Sequence, residues 1–183
     1  MTPLLALILA AALQAPSGPA ADACSVLVSE RLEEAVREKF PGYRIARATD
    51  YSLEELHERG EQKATPCPAV AIADADGNGL QDFALFLTAE GKHLLLAVAL
   101  QVRESSWQVS QLEDFGPGTA SRNFVEPLKP ANYTDNAPGF TPGAGRVRSF
   151  KATSSGFRAG RVEASSMAFF FNGKRWVHLY LSE

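Results

Sequence analysis

Residues 70–87 read VAIADADGNGLQDFALFL, two apolar runs separated by an acidic, glycine-containing stretch. This pattern predicts two β-strands joined by a tight connection, because Asp, Asn and Gly dominate turns. Within the connection, Asp74, Asp76, Asn78 and Asp82 occupy positions one, three, five and nine of a possible loop. Calcium takes about six to eight oxygen ligands, and alternate side chains of a short loop can supply them. These four residues are therefore candidate metal ligands.

The backbone of the same stretch suits an ion as well as the side chains do. Position seven, Leu80, can contribute its carbonyl oxygen. Gly77 and Gly79 allow a sharp turn, because glycine takes positive φ without a side-chain clash. Two interpretations stay open: residues 74–82 form a structural calcium loop, or they are only a turn between two strands.

The motif DADGNGLQD, followed by the apolar strand FALFL at 83–87, resembles the calcium loop of FG-GAP and VCBS-type repeats. The resemblance covers about fourteen residues, and it implies a bound Ca²⁺ ion. In those families the repeats build integrin-like β-propellers, which need about 4–8 blades, whereas one copy occurs here, so the length excludes a propeller. An EF-hand is not expected either, because Leu85 stands where its bidentate Glu would be.

The N-terminus predicts export. Residues 4–13 form an uninterrupted apolar run that is too short to span a bilayer, which takes about 20 residues. Small residues follow at 20–23, and the first twenty-one residues carry no charged side chain. We interpret 1–21 as a secretory signal peptide, which leaves a secreted or periplasmic chain without a transmembrane anchor.

Two cysteines, Cys24 and Cys67, are expected to form a disulfide in an oxidising compartment. The bridge would attach the start of the exported chain beside the strand that precedes the acidic stretch. A competing interpretation makes Cys24 the lipidated first residue of a lipoprotein. It would leave Cys67 without a partner, and Asp22 is unusual in a lipidation motif, so we favour the disulfide.

Residues 22–183 are predicted to form one α+β domain, and an apolar content of 45% supports a genuine core. Apolar residues recur at helical spacing over 28–40, where Pro41-Gly42 should end a first helix. A capping-box sequence at Ser52 predicts a second helix that ends near Gly60. From residue 69 onward the pattern changes to strands. We expect N-terminal helices packed on an antiparallel β-sheet.

The sheet is expected to end in a hairpin, with arms at 167–171 and 174–181. Asn172-Gly173 between them is typical of a type I′ turn. Along the second arm, the even-numbered residues share one face and the odd-numbered residues share the other. We predict that one face meets the helices and that the other is partly exposed.

Residues 113–145 contain five prolines and five glycines with little periodicity, which predicts a long Gly/Pro-rich loop. Its aromatic residues either form a recognition surface or close the core beneath a covering loop, and we favour the second interpretation. They are Phe115, Phe124, Tyr133 and Phe140.

The net charge of −3 conceals a basic C-terminal segment, because residues 146–183 carry a balance of +5. This segment could bind an anionic envelope polymer or an acidic partner. It could equally pair with the acidic first helix, which is the interpretation that we favour. Nucleic-acid binding is not expected, because the whole chain is acidic and shows no recognition motif.

No arrangement of His57, His93 and His178 matches a recognised catalytic motif. The sequence therefore predicts an exported, non-catalytic interaction domain with a structural calcium loop, whose partner is an unidentified protein or envelope polymer. Two alternatives remain. One is a secreted enzyme inhibitor or accessory protein that acts through residues 113–145 or the basic strands. The other is a metal-dependent hydrolase that uses the acidic loop.

Overall fold

The structure is a computed structural model that describes residues 22–51, 67–141, 143–162, 164 and 166–181. The predicted signal peptide and the helix predicted from Ser52 lie outside these residues. Within them, no helix has the length and apolar character that crossing a membrane requires.

The stretch 70–87 forms two paired strands of a five-stranded sheet, as its pattern predicts. The strands of this first sheet are β1 (Arg44–Ile45), β2 (Val70–Ala73), β3 (Asp82–Thr88), β4 (His93–Arg103) and β5 (Ser106–Pro117). β3, β4 and β5 form an antiparallel meander, and β1 and β2 pair with different parts of the other edge of β3. Side chains from Leu94 to Leu100 are buried, which confirms β4 as a central strand.

A second sheet of four antiparallel strands follows in the chain. Its strands are β6 (Asn123–Leu128), β9 (Gly156–Arg161), β10 (Ser166–Phe171) and β11 (Trp176–Leu181), in the spatial order β11-β10-β9-β6. Two short strands, β7 (Asn132–Thr134) and β8 (Ser149–Lys151), pair only with each other. The backbone N–H of Val125 donates to the carbonyl of Pro68 at 2.9 Å and so joins β6 to the segment before β2.

The second sheet is buried on both faces. Phe157 and Phe169 belong to the large core cluster, which also contains most buried residues of the first sheet. Phe170 and Leu179 belong to a small core cluster, against which Tyr133 of β7 and Phe150 of β8 pack. Among the described residues, the odd-numbered face of β11 therefore packs against β7 and β8.

The first predicted helix is present as α1 (Glu30–Lys39). The Ser29 side chain accepts a hydrogen bond from the backbone N–H of Leu32 at 3.3 Å, which satisfies one free donor of the first turn. Leu32 and Val36 face the large core cluster, and the last backbone bond runs from Phe40 to Val36. Pro41 then ends the helix, as expected.

The α+β prediction is nevertheless wrong, because the fold is mostly β-sheet. Strands make up 47% of the described residues and helices 11%, with a single α-helix. The additional strands come from segments with little local strand pattern, such as GFRAGR in β9. Pairing with β6 and β10 on both sides stabilises β9, so tertiary contacts override its weak strand preference.

The prediction of a loop over residues 113–145 is also wrong in large part. The segment contains the end of β5, all of β6 and all of β7. The interpretation that its aromatic residues close the core is confirmed at three positions. Phe115 packs edge-on against Phe86 with the ring centroids 5.2 Å apart, Tyr133 lies 4.7 Å from Phe170, and Phe124 is buried.

The final hairpin is confirmed, but its turn lies one residue later than predicted. Phe171 pairs with Trp176, and Asn172 donates its N–H to the carbonyl of Arg175 at 3.1 Å. Gly173 has a φ of 87°, whereas Asn172 is not among the described residues with positive φ. Gly173 and Lys174 are therefore the central residues, which excludes a type I′ turn at Asn172-Gly173.

Candidate metal site in the acidic loop

The acidic loop, defined here as residues 74–82, connects β2 to β3 at the point where their pairing ends. The last paired residues of the two strands are Ala73 and Asp82. Gly77 and Gly79 have φ values of 79° and 83°, a region in which other residues are strained. The two glycines thus let the loop reverse within a few residues and turn its acidic side chains toward one another.

Asp82 is the buried centre of the loop, with an exposure of 0%. One carboxylate oxygen, Oδ2, accepts hydrogen bonds from the backbone N–H groups of Ala75 at 2.8 Å and Asp76 at 3.3 Å. The other, Oδ1, accepts from the N–H of Gln101 at 2.8 Å. Burial raises the pKa of Asp82, because removal from water disfavours the charged form. The neighbouring charge of Asp76 acts in the same direction.

Asp74 and Asp76 complete a cluster of three carboxylates. One oxygen from each of Asp74, Asp76 and Asp82 lies within 4.8 Å of the others, so the three could hold a metal ion. Asp74 accepts from the N–H groups of Gly77 at 2.8 Å and Gly79 at 3.1 Å. These bonds orient the carboxylates and leave further lone pairs for a cation, because each carboxylate has about four acceptor sites.

The remaining predicted ligands, Asn78 and Leu80, brace the loop. The Asn78 side-chain amide donates to Asp76 at 3.1 Å and to the carbonyl of Gln101 at 2.9 Å. Its Oδ1 accepts from the backbone N–H of Leu80 at 2.7 Å. Roles for the Asn78 oxygen and the Leu80 carbonyl as metal ligands stay predictions.

Three residues outside the motif support the loop, and the sequence analysis missed all of them. Ser154 donates its hydroxyl to the carbonyl of Ala75 at 3.1 Å, and Ser155 donates its N–H to the carbonyl of Asp74 at 3.2 Å. Gln101, at the end of β4, contributes both of its backbone groups. These contacts use backbone atoms or bring together distant parts of the chain, so no sequence motif marks them.

Among the residues that the structure describes, no basic side chain forms an ion pair with the cluster. None of the ion pairs found in the described part of the chain involves Asp74, Asp76 or Asp82. Like charges at this distance repel, and the buried member has lost the compensation of water. The arrangement is therefore one that a bound cation would stabilise.

The basic residues of the C-terminal segment pair elsewhere. Arg146 contacts Asp135 at 2.9 Å, and Arg158 contacts Glu126 at 3.2 Å. Neither acidic partner lies on α1, so the prediction that the basic strands pair with the first helix is wrong for these two residues. Both pairs join neighbouring parts of the β-structure instead.

The predicted disulfide between Cys24 and Cys67 is present, with the two Cα atoms 4.9 Å apart and both residues buried. It connects the segment before α1 to the segment before β2. With its sulfur in this bond, Cys24 has no thiol left for a lipid anchor. A structural disulfide fits an oxidising compartment outside the cytoplasm.

The two described histidines lie on different sheets. His93 is exposed, and its Nδ1 lies 2.8 Å from Oδ2 of Asp114. This contact lowers the pKa of Asp114. His178 is half-buried on β11, and burial lowers its pKa. His57 lies outside the described residues.

No protein-family model, curated protein or solved structure matches this chain. The function is therefore inferred from the geometry and charge of the chain itself.

Proposed function

We propose that the protein is an exported, non-catalytic binding domain whose acidic loop holds a structural Ca²⁺ ion. One observation carries the proposal: three carboxylates gather within 4.8 Å of one another, one of them fully buried, with no ion-pair partner in the described part of the chain. A bound divalent cation would supply the missing positive charge.

Calcium suits the donor set better than the other common metals do. All three clustered groups are carboxylates, and hard oxygen ligands favour calcium, magnesium or manganese over zinc or copper. Magnesium demands nearly ideal octahedral geometry, whereas calcium accepts irregular shells of about six to eight oxygens. The resemblance of DADGNGLQD to FG-GAP and VCBS-type loops supports the same ion.

The role proposed for the ion is structural, because its ligand Asp82 already joins three parts of the first sheet. The Asp82 carboxylate bonds to the start of the acidic loop and to the end of β4, and its own backbone opens β3. A cation bound to this carboxylate would offset the cost of its burial. Metal binding would therefore raise the stability of the folded chain.

Export agrees with both the disulfide and the proposed ion. Calcium sites of extracellular modules bind at about 10⁻⁴ to 10⁻³ M, a range that is useful only where calcium is abundant. We therefore assign the chain to a secreted or periplasmic location, where a protein or an anionic envelope polymer would be its partner.

Thermal and urea unfolding with and without calcium test the proposal. A ligand that binds only the native state adds stability of about 2.7 kcal/mol at a concentration of 100 times Kd. We expect the native chain to gain stability in millimolar Ca²⁺ and the Asp76→Asn variant to gain little. Glu104→Gln is the matched control, because it removes one exposed negative charge outside the loop, and it should keep the full gain.

Two results would contradict the proposal. One is an unfolding transition of the native chain that does not move between chelator and about 10 mM Ca²⁺, well above the affinity expected for an extracellular site. The other is an equal gain in Asp76→Asn and in Glu104→Gln, which would assign the effect to general screening of the acidic surface.

A further inference from the structure

Two of the five asparagines in this chain stand directly before a glycine. They are Asn78 in the acidic loop and Asn172 in the hairpin turn, defined here as residues 172–175. Asparagine is a thermolabile residue, because its side-chain amide can be lost by reaction with the following backbone nitrogen. A following glycine favours this reaction, since it has no Cβ to block the approach. Both asparagines are exposed, so access to water does not distinguish them.

The reaction is an intramolecular acyl transfer followed by hydrolysis. The backbone nitrogen of the glycine gives up its proton to hydroxide and attacks Cγ of the asparagine. The Cγ–Nδ2 bond then breaks, Nδ2 takes a proton from water and leaves as ammonia, and a five-membered succinimide ring is formed. Water opens this ring at either of its two carbonyl carbons, which gives aspartate or isoaspartate. The side-chain amide and water are thus converted into a carboxylic acid and ammonia, and water is the only co-reactant.

The geometry of the hairpin turn favours this reaction at Asn172. The N–H of Gly173 makes no hydrogen bond to any described residue, so its nitrogen is available for attack. Oδ1 of Asn172 accepts hydrogen bonds from the backbone N–H groups of Lys174 at 3.1 Å and Arg175 at 2.9 Å. Two donors on this oxygen stabilise the negative charge that it gains when Cγ is attacked. The turn therefore provides an arrangement that resembles an oxyanion hole.

The charge of the hairpin turn acts in the same direction. The side chains of Lys174 and Arg175 are exposed, and neither takes part in an ion pair within the part of the chain that the structure describes. The deprotonated glycine nitrogen and the oxygen of the tetrahedral intermediate are both negative, and nearby positive charge stabilises them. The two basic side chains should therefore accelerate the loss of the Asn172 amide.

The acidic loop opposes the same reaction at Asn78. The N–H of Gly79, which would have to lose its proton, donates to Asp74 at 3.1 Å. Nδ2 of Asn78, which would have to leave, donates to Asp76 at 3.1 Å and to the carbonyl of Gln101 at 2.9 Å. Attack requires these bonds to break. The carboxylates also disfavour removal of a proton from the nearby nitrogen, because they repel the negative charge that forms.

We propose that Asn172 is a site of spontaneous deamidation and that the acidic loop protects Asn78 from the same reaction. The modification replaces a neutral amide by a carboxylate beside two basic side chains. Where isoaspartate is formed, it also lengthens the backbone of the turn by one carbon atom, next to the last paired residues of β10 and β11. The hairpin turn is thereby the place at which the charge and the covalent structure of the chain change with time.

Mass spectrometry of aged protein tests the proposal. The folded native chain is incubated in chelator at mildly alkaline pH, so that the rates do not depend on the metal site, and is then reduced and digested. Trypsin yields the peptides 162–174 and 64–92, each of which contains one asparagine. We expect Asn172 to react on the order of tenfold faster than Asn78, since the surrounding charges have opposite sign. Peptide 162–174 should contain both aspartate and isoaspartate.

A charge variant with a matched control tests the cause of the faster reaction. Lys174→Gln with Arg175→Gln keeps both backbone donors and removes the positive charge, so the reaction at Asn172 should slow by about fivefold. Its tryptic peptide 162–183 still contains one asparagine. Arg31→Gln with Lys39→Gln removes the same charge from the exposed side of α1 and should leave the rate unchanged.

A second variant tests the protection of Asn78. Asp74→Ala frees the N–H of Gly79 and removes a nearby negative charge. The reaction at Asn78 should therefore become faster, on the order of tenfold, while the rate at Asn172 stays the same. Circular dichroism of every variant checks that the fold is retained, and the native chain unfolded in urea gives the rates without the folded geometry. The difference between the two asparagines should largely disappear in urea.

Three results would overturn the proposal. The first is a folded native chain in which Asn172 reacts no faster than Asn78, or stays intact while the chain unfolded in urea reacts there. The second is an equal rate at Asn172 in the Lys174→Gln, Arg175→Gln variant and in the α1 control. The third is an Asn78 that reacts no faster in a folded Asp74→Ala variant than in the native chain.

Discussion

The molecule buries two aspartates in opposite electrostatic surroundings. Within the described residues, the hydrogen-bond donors to Asp82 in the acidic loop are all backbone N–H groups, and burial raises the pKa of Asp82. Asp135, which follows β7, accepts two hydrogen bonds from the Arg146 guanidinium, each at 2.9 Å. These bonds lower the pKa of Asp135 to about 2. The same type of side chain is thus neutralised by an arginine at one place, whereas at the other no described residue supplies a positive charge.

Asp135 is a buried carboxylate whose hydrogen-bond donors and positive counter-charge all come from the chain itself. It also accepts from the N–H groups of Tyr180 at 3.1 Å and Ala137 at 3.2 Å. The Arg146 guanidinium lies over the Tyr180 ring, 4.6 Å from its centroid, which adds a cation–π contact. This pair holds the segment after β7 against the edge of β11.

Burial of an aspartate does not by itself indicate a metal site, as the comparison of Asp82 with Asp135 shows. Both carboxylates accept backbone N–H groups, so hydrogen bonding does not distinguish them. What distinguishes them is the guanidinium, which is present at Asp135 and has no counterpart at Asp82 in the part of the chain that the structure describes. A bound cation would therefore neutralise the acidic loop, as Arg146 neutralises Asp135 beside β11.

The largest effect is expected from Asp135→Ala. The substitution leaves a guanidinium and two backbone N–H groups without their acceptor, and we expect a loss of about 3 kcal/mol in the free energy of unfolding, the lower end of the range for a broken buried ion pair. Urea unfolding measures it. Asp114→Ala, which removes an exposed partner of His93, should cost far less. Equal losses in the two variants would show that the Asp135 pair is no more important than a surface contact.

Asp82→Asn should have a smaller effect in calcium-free buffer. The amide loses part of the hydrogen bonding to Ala75, Asp76 and Gln101, but it also removes a buried charge, so we expect a loss of about 1 kcal/mol. The calcium response should disappear, whereas Asp135→Ala should retain it. A loss in calcium-free buffer as large as that of Asp135→Ala would contradict the contrast between the two sites.

The pH dependence of stability provides a further comparison, because the two aspartates act on it with opposite sign. The lowered pKa of Asp135 gives stability that is present above the unfolded value of about 3.9 and is lost as the pH falls toward 2. The raised pKa of Asp82 gives stability that is present below the same unfolded value and is lost as the pH rises through the folded pKa.

These contributions are separated by measuring the free energy of unfolding of the native chain and the variants across pH 2.5 to 7 in calcium-free buffer. Stability relative to Asp82→Asn should fall as the pH rises above about 4, and stability relative to Asp135→Asn should fall as the pH drops below about 4. If both differences in unfolding free energy changed in the same direction with pH, the pKa values of the two carboxylates would be shifted in the same direction, which would contradict the contrast between the two sites.

Local sequence patterns predicted part of this fold and missed the rest for identifiable reasons. The strands that flank the acidic loop, the helix α1 and the final hairpin carry strong local signals, and all are present. β9 has no such signal, because its glycines and arginines do not form a local strand pattern. It becomes a strand because it pairs with β6 and β10 in the folded chain. Gly156 is an example, since a Cβ at this position would lie 2.4 Å from the Phe170 ring.

The candidate site, like the fold, could be predicted from the sequence only in part. The alternating spacing of the motif predicted that Asp74, Asp76 and Asp82 would come together, and they do. It gave no indication that Asp82 would be fully buried by β4, or that Ser154 would contact the loop from the second half of the chain. These features depend on how the sheets pack, and they are the ones that separate a candidate metal site from a simple turn.

Isothermal titration of the purified chain with Ca²⁺ at pH 7 tests the central claim most directly. The native chain should bind one ion with a Kd of about 10⁻³ M or tighter. Asp135→Ala, studied where it remains folded, should bind with the same affinity, and Asp76→Asn should show no saturable binding. Absence of saturable binding by the native chain, or unchanged binding by Asp76→Asn, would contradict the assignment of the acidic loop as a calcium site.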